Sequence, residues 1–309
     1  MTGVRPPQLR AAAALSPAEL QALSELERLC TEHDGVRLKL ELPTLRARRG
    51  ARPSDFTYWE GGELVGFCGI YQWRPDEAEV TGMVHPAHRR RRIFTRLFDE
   101  ALAELRKRGA GTVLLVTDRS SESGRGFAGS LDASYEHSEH RMVQARPPDE
   151  IAPDPLIVVR PARLGDDADF IADALAAAFG LPRRSVVVED GRGEGDRFLV
   201  IERDGRRVGT LRADRRLDRG VETAGVYGFG ILPEFQGQGI GRRVLGEVVR
   251  SLRAEGVERI TLEVAVNNDA ALRVYESCGF DRVGTDDYFK VNAARRVADD
   301  ALPHPARRG

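Results

Sequence analysis

The sequence predicts an α/β protein in which one arrangement of strands and helices occurs twice. A chain of 309 residues is long for one domain and comfortable for two of about 150 residues each. Pro86 and Pro233 each follow an apolar strand-like run, and each is followed by apolar residues at helical spacing. Gly109 and Gly256, which end the two helices, keep the same separation from those prolines. We interpret this pattern as an internal duplication.

In the first copy, local signals predict each element in turn. Ser16-Pro17 supplies an N-cap and a first-turn proline, so an amphipathic helix begins there and continues to about Cys30. Gly61-Gly62 lies between two apolar runs and predicts a hairpin. By similar rules we expect strands at 78–84 and 113–116, a helix at 94–105, and irregular chain at 1–16 and 43–54.

The second copy follows a proline-rich, polar segment at 146–155, which resists packing and predicts a linker. Asp204-Gly205 between two apolar runs predicts another hairpin. The other expected elements of this copy are strands at 156–160, 226–232 and 260–266 and a helix at 166–179. The predicted domains are therefore 1–145, the linker 146–155, a second domain at 156–292 and a polar, mobile tail at 293–309.

A glycine-rich loop, Gln236-Gly237-Gln238-Gly239-Ile240-Gly241, joins a predicted strand to a predicted helix. Glycines let backbone N–H groups approach a ligand closely, and the positive end of the helix dipole favours an anion. Arg242 and Arg243 add positive charge beside it. The loop therefore suggests a pyrophosphate site, although a plain strand-to-helix turn has the same composition.

Two motifs around this loop resemble those of a known family. Residues 233–241 read P-x-x-Q-x-x-G-x-G, and a second apolar strand follows. Residues 268–280 then read N-x-x-A-x-x-x-Y-x-x-x-G-F. Their order and separation resemble those of the GNAT superfamily of N-acetyltransferases, over residues from about 156 to 291.

The resemblance implies an α/β (α+β) protein with two tandem GNAT folds, each a mixed, mostly antiparallel twisted sheet flanked by helices. It also implies acetyl-CoA as the cosubstrate and no metal. On this pattern, the expected coenzyme-binding residues are Ile231, Gln236, Gly237, Gln238, Gly239, Ile240, Gly241, Arg242, Asn268 and Tyr275.

Acetyl transfer to an amine needs a base for the amine, a donor for the oxyanion and an acid for the departing thiolate. No histidine occurs between residues 151 and 292, so the base there must be a carboxylate, a tyrosine or a water chain. The resemblance implies that Tyr275 is the acid, and a packed core tyrosine is the alternative. Asn268 would cap the helix that carries Tyr275 in any case.

Glu263 is the candidate base, because a mid-strand carboxylate between Leu262 and Val264 is costly unless it is paired or has a function. Strand alternation could equally point it to solvent. Glu222, at the start of the preceding strand, competes for the role, since other branches of the family place their base on that strand. The resemblance also implies an oxyanion donor on the backbone of residues 229–231.

The first copy departs from the family pattern at several of these positions. Arg92 and Phe94 stand where the second copy has Gly239 and Gly241. Phe127 falls near the place of Tyr275. Val116 takes the place of Glu263. We therefore predict that the first copy cannot catalyse acetyl transfer. Its arginine run could still bind phosphate by charge, and a nucleic-acid patch is a weaker alternative.

Two H-x-x-H pairs, His85/His88 and His137/His140, also fall in the first copy. A metal site needs three or four convergent ligands, and nothing in the sequence brings these pairs together. Cys30, Cys68 and Cys278 are scattered and have no metal-ligand spacing. We predict no metal site.

The charge balance indicates no global attraction to nucleic acid or membrane, because 47 Lys and Arg residues nearly cancel 48 Asp and Glu residues. With no apolar stretch of about 18 residues and no signal peptide, a cytoplasmic location fits. The predicted partner is a small-molecule amine or a peptide N-terminus. Two alternatives stay open: a coenzyme A-binding sensor without turnover, and acetylation of a small thiol-sugar amine, since the two-copy architecture is similar to that of mycothiol synthases.

Overall fold

The computed structural model describes residues 6–74, 76–152, 154–186, 188, 195–218 and 220–292. The predicted tail at 293–309 and most of the Gly- and charge-rich loop before residue 196 lie outside these ranges. Within them, no helix is both long and apolar enough to cross a membrane.

The described chain contains helices and strands in an order that repeats. The helices are α1 (Pro17–Asp34), α2 (Leu42–Ala47), α3 (Ile93–Arg108), α4 (Glu122–Ser130), α5 (Leu164–Phe179), α6 (Ile240–Ala254) and α7 (Asp269–Ser277). The strands of the first copy are β1 (Gln8–Ala12), β2 (Asp55–Glu60), β3 (Glu63–Arg74), β4 (Glu77–Val84), β5 (Thr112–Asp118) and β6 (Ser134–Gln144). Those of the second are β7 (Ile157–Pro161), β8 (Asp196–Arg203), β9 (Arg206–Asp218), β10 (Val221–Ile231), β11 (Arg259–Ala265) and β12 (Phe280–Val291).

All these strands form one sheet, in the order β1-β2-β3-β4-β5-β12-β6-β11-β10-β9-β8-β7. The β4–β5 and β10–β11 pairs are parallel, and the other neighbours are antiparallel. The predicted fold class, a mixed and mostly antiparallel sheet flanked by helices, is confirmed. In each copy the parallel pair stops before its strands end: the last pairs are Val80 with Leu115 and Val226 with Leu262. Beyond these pairs the strands diverge and leave a cleft.

The two copies exchange their last strands, which the sequence did not indicate. Strand β6 of the first copy pairs with β11 of the second, and β12 of the second pairs with β5 of the first. Strands β6 and β12 pair with each other in the middle of the sheet, where Glu139 lies opposite Asp286. The predicted boundaries divide the sequence into two copies, but the strands of both copies belong to one continuous sheet.

The exchange is pseudo-symmetric. The sequence duplication has an offset of 147 positions, as between Pro86 and Pro233. The same offset relates Glu139 to Asp286, so the central pair maps onto itself. It also relates the pairing of β5 with β12 to that of β11 with β6. The duplication inferred from sequence is thus visible in the strand register.

Helices cover the two faces of the sheet in the same way in each copy. Helices α3 and α4 bury Leu97, Phe98 and Leu105 against the first half. Helices α6 and α7 bury Val244, Leu245 and related residues against the second half. Helices α1 and α2 cover the opposite face of the first half, and α5 covers that of the second. Removing apolar surface from water contributes about 25 cal/mol per Å² to the free energy of folding. These layers are therefore the main source of stability.

Three local expectations are wrong. Residues 8–12 form β1, which pairs with β2 through Ala11 and Phe56 among others, although low order was predicted there. Residues 42–47 form α2, whose Leu42 and Leu45 are buried, where a loop was predicted. The linker packs: the carbonyl oxygen of Gly279 accepts hydrogen bonds from the backbone of residues 145 and 146. A Cβ on Gly279 would meet the Arg146 carbonyl, so this turn requires glycine.

Because each half depends on a strand from the other, we predict that the two halves do not fold separately. Residues 1–150 alone would leave the edge of β5 uncovered, and residues 151–309 alone would leave β11 uncovered. Each fragment should lack a cooperative thermal transition, whereas the two expressed together should purify as a 1:1 complex that melts cooperatively. A cooperative transition in either fragment alone would contradict the exchange.

Candidate active site

The glycine-rich loop of the second copy leads directly into α6. Gly237 and Gly239 have φ values of 73° and 74°, in the left-handed region that favours glycine, and Gly239 is the N-cap of α6. In the described chain no side chain caps this N-terminus. The first-turn N–H groups therefore have the arrangement that binds anions at helix starts.

Side chains of the loop fix its shape. The Gln236 amide donates to the carbonyl of Ile231 at 2.9 Å, and the Gln238 amide donates to the carbonyl of Glu234 at 3.1 Å. Arg242 pairs with Asp149 of the linker at 2.7 Å. These contacts hold the predicted coenzyme residues against the end of β10.

The cleft of the second copy opens where β10 and β11 diverge. Gly228 and Phe229 have no register partner in either β9 or β11, and Gly228 has a φ of 53°. A Cβ on Gly241 would lie 3.7 Å from the Phe229 ring and 4.0 Å from Ile231, so the start of α6 reaches this bulge. The loop and the backbone predicted to supply the oxyanion donor are therefore adjacent.

Glu263 lies at the edge of this cleft, and Tyr275 lies in the core on the opposite face of the sheet. Glu263 follows the last paired residue of β11, Leu262. Leu262 and Val264 point into the core beneath α6, so strand alternation places the Glu263 side chain on the other face. Tyr275 belongs to that core, on α7, with its ring 6.3 Å from Phe280.

The environment of Tyr275 suits a proton donor. The residue is 8% exposed, and burial raises the pKa of its phenol to about 12. The group is therefore protonated at neutral pH and can give its proton to a thiolate. Asn268 caps α7 as expected, because its side chain accepts from the Ala271 N–H at 3.1 Å.

Glu222 lies apart from the cleft. It is at the beginning of β10 and pairs with Arg215 at 3.2 Å. Val226, the last residue that pairs with β11, is four positions further along β10, which is roughly 13 Å along a strand. This position favours Glu263 over Glu222 as the base, a role that stays a prediction for both.

A buried lysine from the first copy reaches Glu263, and the sequence analysis missed it. Lys39 lies between α1 and α2, and its Nζ is 3.0 Å from Glu263 Oε2. It also lies 3.5 Å from Glu79 of β4 and 3.9 Å from Glu139 of β6, and it donates to the Tyr288 hydroxyl of β12. We call these five residues the Lys39 cluster. The alternation of Arg, Lys and Glu with leucines at 37–42 marks this segment in the sequence but does not indicate the partners of Lys39.

The electrostatics of the Lys39 cluster follow from three carboxylates sharing one ammonium group. Burial acts to lower the pKa of Lys39, but Glu263 and Glu79 outweigh it and hold that pKa well above the ordinary value. Burial raises the pKa of Glu79 to about 7, although Lys39 opposes the shift. Burial likewise raises the pKa of Asp286, on β12, to about 7, and Glu263 adds to that effect.

The first copy keeps the loop backbone but not the side chains predicted to be catalytic. Arg90 and Arg92 have φ values of 62° and 58°, matching Gly237 and Gly239. A cavity of about 670 Å³ lies behind this loop, between the diverging ends of β4 and β5. By the offset of 147 positions, Ala128 stands where Tyr275 stands in the second copy, and the ring of the neighbouring Phe127 packs edge-on against Phe94 at 4.7 Å.

The histidine pairs take different partners. His85 and His88 contact each other edge to face, and His88 lies 3.2 Å from Glu60. His137 stacks on Tyr288, whereas His140 bonds Thr285. In the part of the chain that the structure describes, no three His, Cys, Asp or Glu side chains are arranged to hold a metal ion.

The pKa of Glu79 predicts a pH-dependent stability. In the unfolded chain this carboxyl ionises near 4.5, and in the folded protein near 7. The contribution of Glu79 to the free energy of unfolding is therefore fully present below about pH 4.5 and is lost as the pH rises through about 7. Glu79→Gln should raise the melting temperature by about 3 °C at about pH 8.5, and by much less at about pH 5. The exposed Glu100→Gln variant is the control, and an equal shift at both pH values would contradict the assignment.

Comparison with known proteins agrees with this geometry. Residues 20–130 and 169–280 each match the family model described as the acetyltransferase (GNAT) family. A mycothiol acetyltransferase from Streptomyces bingchenggensis is 31% identical over 263 residues, which cover 78% of this chain and 82% of that protein. Another, from Thermobispora bispora, is 28% identical over 291 residues, covering 88% of this chain and 95% of that protein.

Two solved structures share the fold. A GCN5-related N-acetyltransferase from Sphaerobacter thermophilus superposes with a TM-score of 0.74 at 21% identity, covering 93% of this chain and 96% of that one. A tandem GNAT protein from the clavulanic acid biosynthesis pathway gives 0.69 at 18% identity, with coverage of 94% and 100%. The two matched segments, one in each copy, span more than half of the sequence, and the chain therefore belongs to the acetyltransferase (GNAT) family as a tandem N-acetyltransferase.

Proposed function

We propose that the second copy transfers an acetyl group from acetyl-CoA to a primary amine by direct attack on the thioester. The observation that carries this proposal is the position of three parts at one cleft. The anion-binding loop enters it at Gly239, Glu263 borders it on one face of the sheet, and Tyr275 lies on the other face. The first copy keeps the loop backbone and has neither side chain.

The loop would hold the coenzyme through its pyrophosphate. Backbone N–H groups from Gly237 to Gly241 would meet the phosphate oxygens at the start of α6, and Arg242 and Arg243 add charge. When bound, acetyl-CoA supplies the activated acyl group. The residues of the chain then orient it and move protons around it.

Glu263 would accept a proton from the amine, whose nitrogen then attacks the thioester carbonyl carbon. The oxyanion would accept a hydrogen bond from the backbone at 229–231, where strand pairing is interrupted. As the tetrahedral centre collapses, the C–S bond breaks and Tyr275 protonates the leaving sulfur. The products are the acetylated amine and the free coenzyme thiol.

A covalent route through cysteine fits the chain poorly. Cys278 is buried, donates to the Arg242 carbonyl, and has a pKa that burial raises above its ordinary value. A thiol that resists ionisation is a weak nucleophile. This supports direct attack by the amine.

For the acceptor, we propose a small thiol-sugar amine. The support comes from relatives named mycothiol acetyltransferase that align along most of this chain. A peptide N-terminus is the alternative, since Leu-Glu-Val at 262–264 is similar to the branch that acts on such amines. Testing mycothiol without its acetyl group against a short peptide would separate the two.

The first-copy cavity favours a second candidate function, coenzyme A sensing without turnover. It is of ligand size and is bordered by Arg89, Arg90 and Arg92 at the start of α3. Guanidinium groups there would bind phosphate by charge, in place of the backbone contacts that glycines allow. This candidate is compatible with catalysis in the second copy.

Tyr275→Phe tests the proton donor. Removal of the hydroxyl should lower kcat by about 100-fold or more, with little change in acetyl-CoA affinity, because the ring still packs beside Phe280. Release of the coenzyme A thiol, with mycothiol lacking its acetyl group or a short peptide as acceptor, measures turnover. Calorimetry measures the binding of acetyl-CoA. Phe127→Leu in the first copy, one position before the equivalent of Tyr275, is the control. A fully active Tyr275→Phe enzyme would refute the assignment.

Glu263→Gln and Glu222→Gln form a matched pair that tests the base. The Glu263 variant should lose the acidic limb of the pH–rate profile and most of kcat, since an amide cannot accept the amine proton. Glu222→Gln should keep the wild-type profile, because that residue lies at the far end of β10. The reverse pattern would mean that Glu222 is the base.

A further inference from the structure

We propose that Lys39, contributed by the first copy, is a positioning residue for Glu263 and keeps it ionised for catalysis in the second copy. This inference rests on the proposed role of Glu263 as the base. Lys39 lies 224 positions from Glu263 along the chain, yet the two side chains form a hydrogen-bonded ion pair. The first copy would then be part of the active site of the second.

The geometry around Lys39 fixes its ammonium group from several directions. Its Nζ donates to Glu263 at 3.0 Å and to the Tyr288 hydroxyl, and it lies 5.1 Å from the centre of the Tyr288 ring. The Tyr288 hydroxyl in turn donates to Glu139 at 2.7 Å. Since the Lys39 side chain is only 12% exposed, it cannot rotate freely away from Glu263.

The strand exchange explains why a first-copy residue reaches a second-copy carboxylate. Lys39 contacts β4, β6, β11 and β12, which belong to both copies and lie near the centre of the sheet. Val116 occupies the position in the first copy that Glu263 occupies in the second, and it packs with Tyr288. On the second-copy side Lys39 pairs with Glu263 at 3.0 Å, and on the first-copy side it lies 3.5 Å from Glu79.

Other charged groups near Glu263 make this cation important. Glu41 lies on the same segment as Lys39, and its pKa is raised by burial and then by Glu263. Asp286 of β12 is affected by Glu263 in the same direction. Tyr227 of β10 has its pKa raised by burial to about 12, with Glu41 and Glu263 contributing. The positive charge of Arg216, on β9, interacts with Tyr227 and Glu41.

Arg141 of β6, the register partner of Glu263, is already paired with Asp286 and Asp118 at 2.6 Å each. The remaining carboxylates on this face therefore crowd Glu263. Without Lys39, Glu263 would share that face with Glu79, Glu139 and Asp286, and like charges favour protonation of one of them. A protonated Glu263 cannot take the proton of an amine. Lys39 offsets this crowding while it holds Oε2 in place.

The test measures the ionisation of Glu263 directly. Carbon-13 NMR of protein labelled at glutamate side-chain carboxyls, with the Glu263 signal assigned by its loss in Glu263→Gln, gives a titration midpoint. In Lys39→Met the midpoint should move to higher pH, because the positive charge 3.0 Å from Glu263 Oε2 is removed. In Lys39→Arg the midpoint should stay close to its wild-type value, because the positive charge beside Glu263 is kept. An unchanged midpoint in Lys39→Met would overturn the proposal.

Kinetics with acetyl-CoA and mycothiol without its acetyl group provide the second readout. Lys39→Met should lower kcat about tenfold at neutral pH and move the acidic limb of the pH–rate profile upward, with KM for acetyl-CoA unchanged. In a Glu263→Gln background, Lys39→Met should change kcat by less than about twofold, since the two residues act as a unit. Equal effects in both backgrounds would mean a purely structural lysine.

These outcomes separate this inference from the proposed function. If Glu263→Gln is fully active, the base assignment fails, and the NMR midpoint still decides whether Lys39 controls the ionisation of Glu263. If Glu263→Gln is inactive and Lys39→Met is unimpaired, the proposed function stands and the positioning role fails. If Lys39→Met does not fold, the double variant Lys39→Met/Glu79→Gln replaces it, because it removes one negative charge together with the positive one. The titration midpoint of Glu263 is then measured in that double variant.

Discussion

The exchange of β6 and β12 is the constraint on which the rest of this structure depends. Each copy would otherwise end in an exposed strand edge beside the diverging parallel pair. By pairing β6 with β11 and β12 with β5, the chain covers both edges and joins the two halves into one sheet. The pairing has one further effect: it brings Lys39 of one copy beside Glu263 of the other.

The two copies have diverged in side chains while keeping a backbone. Arg90 and Arg92 adopt the left-handed conformation that glycines adopt at Gly237 and Gly239, although it is unfavourable for residues with a Cβ. The surrounding turn and the start of α3 therefore dictate this path. The Phe94, Phe98 and Phe127 rings fill the space around it, where the second copy has the smaller residues Gly241, Leu245 and Val274.

The sequence was sufficient for the features that depend on local signals. The duplication, the fold class and the position of the glycine-rich loop could be predicted because turn residues, apolar periodicity and motif spacing are local. Asn268 as a cap follows from the same kind of rule. The short β1 and α2 were missed, because tertiary packing of Leu42 and Leu45, more than propensity, stabilises them.

The strand exchange and the Lys39 cluster could not be predicted, since both depend on contacts between residues far apart in the chain. The residues of β12 do not indicate whether it pairs within its own copy or with β5. A lysine between two leucines gives no sign of its partner 224 positions away. The sequence thus indicated the second-copy residues of the candidate site, but it did not indicate the Lys39 cluster that surrounds Glu263.

The central claim is that acetyl transfer takes place in the second copy, and one pair of variants at equivalent positions tests it most directly. Gly239 and Arg92 are the left-handed N-caps of α6 and α3, a conformation that aspartate tolerates better than most residues. A carboxylate at either helix start would repel pyrophosphate. Thiol release from acetyl-CoA should be abolished in Gly239→Asp and retained in Arg92→Asp. Activity that survives Gly239→Asp and is lost in Arg92→Asp would contradict the account.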